Sequence, residues 1–250
     1  MPLVETDSVV IKSYNLAEAD KIVVLLTKEH GMIRGVAKGA KRLKSKFGSG
    51  LEPFSLVKVE YFEKETSDLV TIQKIDLLQS NFAAASNPDF LQKFSYLGEI
   101  LITFSPPHDP NETLYRMVKA CVETAANDPE SLPSVGVYFE IWLLRLSGYL
   151  PDWSKCDGCG HVFAHGDDSG LRTDLHLRCV DCRRSASGRV LSADDREVAA
   201  AARRLSPVDF AAFTLGKQET LRYLSTIMKQ LISQSIGREV TGETSLAISI

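Results

Sequence analysis

Four cysteines in the second half of the chain, Cys156, Cys159, Cys179 and Cys182, form a C-x2-C-x19-C-x2-C array. Two thiolates on each of two tight turns can close a tetrahedral site around one Zn²⁺ ion. Because four thiolates fill the coordination shell, the array predicts a structural ion rather than a catalytic one. The ion would hold together residues 155–188, a stretch with too few apolar residues to build a core.

Residues around the array also suit a metal site. Gly158 and Gly160 are expected to supply positive φ angles in the first turn. Arg183 and Arg184 can offset the charge of −2 that a zinc ion carries with four thiolates. The fifth cysteine, Cys121, stands alone in a helical pattern and is expected to be a buried, inert thiol.

Two other interpretations of the cysteines compete with the structural metal site. Disulfides would need an oxidising compartment, and the first seven residues have neither the basic region nor the apolar segment of a secretory signal. A catalytic zinc would need one ligand replaced by water. His161, His165 and His176 lie between the cysteine pairs, but we expect them to be polar surface residues.

Charge is distributed unevenly along the 250 residues. The formal net charge of −3 by itself argues against a nucleic-acid-binding protein. Residues 1–80, however, carry 12 Lys/Arg against 11 Asp/Glu, so the excess of acid lies in residues 81–250. No apolar run approaches the roughly 18 residues of a membrane span, so we expect a soluble, cytoplasmic protein without membrane contact.

The first 80 residues have the pattern of five short strands. The segments rich in β-branched and alternating apolar residues are 9–14, 22–27, 32–36, 56–61 and 69–75. Five strands with a longer link between the third and the fourth match an OB-fold barrel. Small SH3-like barrels share this pattern.

The long link, residues 38–50, concentrates positive charge and contains no acid. Its cations are Lys38, Lys41, Arg42, Lys44 and Lys46. Arg34 and Lys28 could extend this track, and Phe47 could offer a ring on which bases stack. Such a segment predicts phosphate binding, because small residues let a nucleic acid backbone approach the cations closely. The alternatives are a solvated loop without a ligand, and a Phe47 ring folded back onto the barrel.

From residue 81 the apolar residues recur with a helical period. We expect helices over residues 88–104, 110–127, 135–147, 192–204 and 218–235, with a short helix after Ser206-Pro207. The third is apolar nearly all round and should form the buried centre of a helical domain. The predicted architecture is therefore α+β and multidomain. It has an OB-fold barrel at residues 1–80, an α-helical domain at 81–250 and an embedded zinc-binding segment at 153–188.

Several short motifs resemble those of the RecO family of bacterial recombination mediators. One segment of this chain resembles the family signature: Lys38-Gly39-Ala40 with the basic run, followed by Leu51-Glu52-Pro53-Phe54. A second resemblance covers Phe139-Glu140, Leu143-Leu144 and Gly148-Tyr149, ahead of the first cysteine pair. The order of barrel, helical domain and cysteine array also agrees over nearly the whole chain.

The resemblance implies a DNA repair protein of the RecF pathway that binds single- and double-stranded DNA and anneals complementary strands. It implies that the protein works with RecR and the single-stranded-DNA-binding protein to load the RecA recombinase. The implied location is the cytoplasm, with association with the nucleoid during repair. It places the family's DNA contacts on the five cations of the link and its zinc ligands on the four cysteines. No small-molecule substrate is implied.

An enzymatic role is not predicted. The sequence has no GxxxxGK[ST] phosphate loop, no G-x-S-x-G elbow and no H-E-x-x-H pair. Annealing needs none of these, because base pairing supplies the free energy and the protein only screens phosphate repulsion. An OB-fold and zinc-ribbon RNA-binding protein of transcription or translation is the main alternative, and a zinc hydrolase is a more distant one.

Overall fold

A computed structural model describes residues 3–63, 68–183, 189–238 and 240 of the chain. The chain forms two compact units, one ending at Leu132 and the next beginning at Pro133. Helices up to residue 127 therefore group with the barrel, whereas the sequence places a domain boundary at residues 80 and 81. None of the described helices is long and apolar enough to cross a membrane.

The first unit begins with a five-stranded barrel. Its strands are β1 (Leu3–Leu16), β2 (Asp20–Thr27), β3 (Gly31–Ala37), β4 (Leu56–Phe62) and β5 (Leu69–Gln79). All five predicted strands are confirmed, and β1 and β5 extend well beyond their predicted limits. The barrel closes in the order β1-β2-β3-β5-β4, with β3 and β5 parallel and the other described neighbours antiparallel. This is the five-stranded arrangement of an OB fold.

The barrel interior is filled by alternating residues of the strands, because successive side chains of a strand point to opposite faces. Val23 and Leu25 of β2 and Ile33 and Ala37 of β3 point inward into this core. A β-bulge in β1 between Val10 and Lys12 interrupts the alternation of that strand.

Three helices follow within the same unit: α1 (Phe82–Ala85), α2 (Pro88–Phe104) and α3 (Glu112–Asn127). The predicted start of α2 is confirmed, since the Asn87 side chain accepts a hydrogen bond from Asp89 N at 2.9 Å. The predicted start of α3 at residue 110 is wrong, since the helix begins at Glu112. Asn111 is the cap, and its Oδ1 accepts from Leu114 N at 2.9 Å. The short α1 was not predicted.

One end of the barrel packs against these helices. Phe54, in the link between β3 and β4, has its ring centroid 5.2 Å from that of Phe94 and 6.0 Å from that of Phe90. Gly31 has a φ of 68°, and a Cβ there would lie 2.3 Å from Asp109 O. Only glycine fits this turn, which brings the α2–α3 connection against the barrel.

The second unit combines helices with a small three-stranded sheet. Its elements are α4 (Leu132–Leu146), β6 (Ser169–Leu171), β7 (Leu177–Cys179), β8 (Arg189–Val190), α5 (Ala193–Ala202), α6 (Pro207–Phe213) and α7 (Gln218–Ile236). As predicted, α4 is the buried centre, and a Ser192–Asp195 capping box opens α5. Helix α4 starts three residues before its predicted limit because a 3-10 turn, Pro129–Ser131, leads directly into it.

Candidate metal centre and nucleic-acid interface

Two tight turns bring the four cysteines together. In the first turn, Gly160 N donates to Cys156 O at 2.9 Å, and Asp157 N donates to Leu177 O at 2.8 Å, which ties the turn to β7. In the second turn, Cys182 N donates to Cys179 O at 3.2 Å. Cys179 is the last residue of β7, so the same strand positions both turns.

The four sulfur atoms suit one metal ion. Their Sγ atoms all lie within 4.8 Å of one another, and those of Cys159 and Cys179 are 3.7 Å apart. Tetrahedral zinc with Zn–S bonds of about 2.3 Å would place sulfurs about 3.8 Å apart. The cysteines can therefore hold a metal ion. Within the described part of the chain, the histidines between the pairs are not members of this cluster.

The surroundings of the Cys156 sulfur favour its thiolate form. It accepts hydrogen bonds from Gly158 N and Cys179 N, both at 3.3 Å. Burial raises the pKa of Cys156, but backbone N–H groups outweigh burial and lower that pKa to about 6. Hydrogen bonding to Cys159 and Cys179 raises the pKa of Cys182 to about 12.

The two glycines of the first turn have different roles, which corrects one expectation. Gly160 has a φ of 74°, as predicted, but Gly158 is not among the residues with positive φ. A Cβ on Gly158 would lie 2.7 Å from Arg178 Nη1 and 3.2 Å from Cys182 Sγ. Gly158 therefore favours close approach of Cys182 and Arg178 rather than a particular backbone angle.

Arg178, which the sequence analysis did not single out, also lies beside this turn. Its guanidinium lies against Gly158, and its Nη2 is 3.5 Å from Asp157 Oδ2. The side chain of Arg183 lies beside Gly170, and Arg184 lies outside the described residues. Arg178, which precedes Cys179 in β7, is therefore a cation beside the first cysteine turn, where it pairs with Asp157.

A second residue missed by the sequence analysis, Arg196 of α5, ties the cysteine segment to the helices. Its buried guanidinium donates to Ser169 Oγ and to three carbonyl oxygens, with distances of 2.8–3.3 Å. It also lies 4.9 Å from the ring centroid of Phe163. The Ser192–Asp195 capping box could have drawn attention to it, because that motif fixes Arg196 in the first turn of α5.

In the first unit, hydrogen bonds fix the first residues of the basic link, and its cations are exposed. Gly39 N donates to Asp20 Oδ1 at 2.7 Å, and Lys41 N donates to Ala19 O at 2.9 Å. These bonds hold the link against the turn between β1 and β2. Phe47 and Leu51 then enter the barrel core.

The predicted cations all reach solvent. Arg34, on the outer face of β3, is exposed, as are the five cations of the link: Lys38, Lys41, Arg42, Lys44 and Lys46. Among the described residues, none of the six has a carboxylate within ion-pair distance, whereas Lys28, Lys58 and Lys74 pair with Glu29, Glu5 and Asp76. Uncompensated positive charge on the barrel is therefore concentrated at the link, and Lys28 does not extend it.

The structure corrects the expectation for Phe47. Its ring is only 3% exposed and belongs to the barrel core, and Lys46 Nζ lies 5.1 Å from the ring centroid. A base cannot stack on a ring that the barrel already encloses. The alternative of a ring folded back onto the barrel is the one that the structure shows.

Fold and site together define a class: a two-unit protein with an OB-type barrel, a basic link between β3 and β4, and a helical unit that carries a closed four-cysteine centre. Two family models match the chain. Recombination protein O N terminal covers residues 1–81, and Recombination protein O C terminal covers residues 93–242. The chain belongs to the RecO family, as the motif resemblance implied.

Individual relatives agree over most of their length. The chain is 28% identical over 239 residues to DNA repair protein RecO of Koribacter versatilis, covering 94% of this chain and 96% of the relative. It is 31% identical over 195 residues to the Streptomyces coelicolor protein of that name, covering 73% and 75%. The Geobacter metallireducens protein of that name is 26% identical over 238 residues, covering 95% and 94%.

Proposed function

We propose that this protein is a DNA-binding recombination mediator that anneals complementary strands and helps to load RecA during repair. The observation that carries the proposal is the group of exposed, uncompensated cations on the link between β3 and β4. Phosphates need such cations, and a link anchored at Asp20 and in the barrel core presents them without reorganising. Family membership supports the same conclusion, since the relatives are named DNA repair proteins.

The proposed DNA contacts are Arg34 and the five cations of the link, without Phe47. Because these contacts are electrostatic, binding should show little sequence preference and should extend to single and double strands. Annealing would follow when the cations screen the repulsion between two strands and base pairing supplies the free energy. No nucleotide hydrolysis is required, and the proposed role is not enzymatic.

The proposed partners are DNA, RecR and the single-stranded-DNA-binding protein, and the proposed location is the cytoplasm, on the nucleoid during repair. The resident ion is proposed to be one structural Zn²⁺ bound by Cys156, Cys159, Cys179 and Cys182. Soft thiolate ligands in a tetrahedral arrangement favour zinc. When bound, the ion would cross-link the two turns, and it would have no catalytic role.

A strand-annealing assay tests this function. The protein should accelerate pairing of complementary DNA strands without nucleotide, and a variant with Lys41, Arg42 and Lys44 all changed to Ala should be slower. The matched control changes Lys28, Lys58 and Lys74 to Ala, which removes equal charge from cations already paired with carboxylates. The control should anneal normally. Failure to anneal DNA, together with preferential binding of structured RNA, would favour an RNA-binding protein instead.

RecA loading needs a separate assay. Filament formation on single strands coated with single-stranded-DNA-binding protein should be faster with this protein and RecR together than with either one. No acceleration in the presence of both would contradict the mediator role, even if annealing is intact.

A further inference from the structure

The buried position of Phe47 leaves open where single-strand bases would make apolar contact, and the outer face of the barrel offers a surface for them. Residues opposite one another on paired strands point to the same face. Since Val23 and Leu25 fill the core, their neighbours Ile22 and Val24 lie on the outer face, where Ile22 is partly exposed and Val24 is covered. The register then places Tyr14 beside Ile22 and Lys12 beside Val24.

The same rows continue onto β3. Val36 lies opposite Ile22, and Arg34 lies opposite Val24. Tyr14, Ile22 and Val36 thus form one row across three strands, and all three are partly exposed. With strands about 4.8 Å apart, the row is about 10 Å wide, which is enough for one nucleobase.

Cations lie on both sides of this row. On one side are Lys12, whose Nζ lies 5.2 Å from the centroid of the Tyr14 ring, and Arg34. On the other side the chain continues into Lys38, two residues beyond Val36. The row therefore combines an apolar surface containing one aromatic ring with flanking positive charge, as proteins that bind single strands without sequence preference require.

We propose that Tyr14, supported by Ile22 and Val36, is the platform on which a base of a bound single strand stacks. The inference rests on the proposed function, because it assumes that the cations of the link hold the phosphates of the same strand. It assigns the base contact to the outer face of β1, β2 and β3. Neighbouring acids do not block the site: Asp20 accepts the hydrogen bond from Gly39 N, and Glu18 lies in the turn beyond Leu16.

The test compares variants of the full-length protein on intact single-stranded DNA and on an abasic strand of equal length. Tyr14→Leu keeps an apolar cover over the strands but removes the ring, and Tyr14→Phe keeps the ring. Base stacking on one aromatic residue is worth roughly 5- to 100-fold in affinity. Tyr14→Leu should lose that much on the intact strand and little on the abasic one, and Tyr14→Phe should bind like the unchanged protein.

The matched control is Tyr149→Leu, which removes an exposed tyrosine from the second unit and should bind both strands normally. Equal losses for Tyr14→Leu on intact and abasic strands would overturn the stacking assignment, because a merely structural role does not depend on bases. No loss on the intact strand would overturn it as well. If the unchanged protein binds neither strand, the proposed function fails, and this inference fails with it.

Discussion

The basic link and the cysteine segment are both long stretches with little regular structure, yet they are fixed in opposite ways. The link is anchored by residues that are not proposed to bind anything: Phe47 and Leu51 in the barrel core and Gly39 at Asp20. Its cations project from these anchors and contribute little to the fold. In the cysteine segment the candidate ligands are themselves among the anchors.

This difference predicts how substitutions act. In the link, function and stability are separable, because the cations and the apolar anchors are different residues. In the cysteine segment they are not separable, because the four candidate ligands would themselves cross-link the two turns, beside the tether at Arg196 and the buried side chains of Leu175 and Leu177. Four predictions, from the largest expected effect to the smallest, test this contrast.

Loss of the metal ligands should have the largest effect. Structural zinc binding by four thiolates is worth on the order of 10 kcal/mol, and the binding free energy is folding free energy. Cys156→Ser should therefore lose zinc by elemental analysis and lose hydrogen-exchange protection over residues 153–183. The first unit should keep its protection.

The control for the metal prediction is Cys121→Ala, which removes a fully buried thiol whose pKa burial raises strongly. That variant should retain one equivalent of zinc. A Cys156→Ser protein that kept its zinc and its protection would contradict the role given to the cysteines.

Phe47→Ala should have the second-largest effect, because it empties part of the barrel core. Truncation of a buried phenylalanine costs about 3–5 kcal/mol, which chemical denaturation of the purified protein can measure. Residual DNA binding should fall equally for single and double strands, because the ring does not contact bases. If Phe47→Ala selectively lowered single-strand affinity while stability stayed unchanged, Phe47 would have to contact DNA.

Arg196→Met should loosen the cysteine segment without removing its metal. The variant keeps the aliphatic stem but leaves Ser169 Oγ and carbonyl oxygens without their donor, at a cost of about 2–4 kcal/mol. Denaturation should show the loss, and elemental analysis should still find zinc. Arg203→Met, at an exposed position near the end of the same helix, is the control and should be neutral. Equal stability of the two variants would argue against Arg196 as the tether.

Removing the link cations should leave stability unchanged and alter only DNA binding. If about four phosphates are neutralised, log K for single strands should fall with log salt at a slope of roughly −3. Changing Lys41, Arg42 and Lys44 to Ala should bring the slope to roughly −1, with the thermal unfolding temperature unchanged. An unchanged slope would place the DNA site elsewhere, and a large drop in unfolding temperature would show that the link is not separable from the fold.

Local sequence patterns were sufficient for most of the secondary structure. Asn87-Pro88 begins α2 and Ser192 with Asp195 begins α5, because a capping side chain satisfies backbone donors only a few residues away. The apolar residues of the family-like motifs have structural roles. Phe54 packs between the barrel and α2, and Phe139 is buried in α4. These roles depend on contacts far apart in sequence, which no local pattern displays.

The sequence alone determined that four cysteines could meet at one metal site and that the barrel's uncompensated charge would lie after β3, because ligand spacing and charge are local properties. Tertiary structure decided which side chains face solvent. Strict alternation would place Lys12 and Tyr14 on the inward face with Val10, but the bulge between Val10 and Lys12 turns them outward. Likewise Phe47 points inward, because enclosing its apolar ring in the barrel core removes that ring from water.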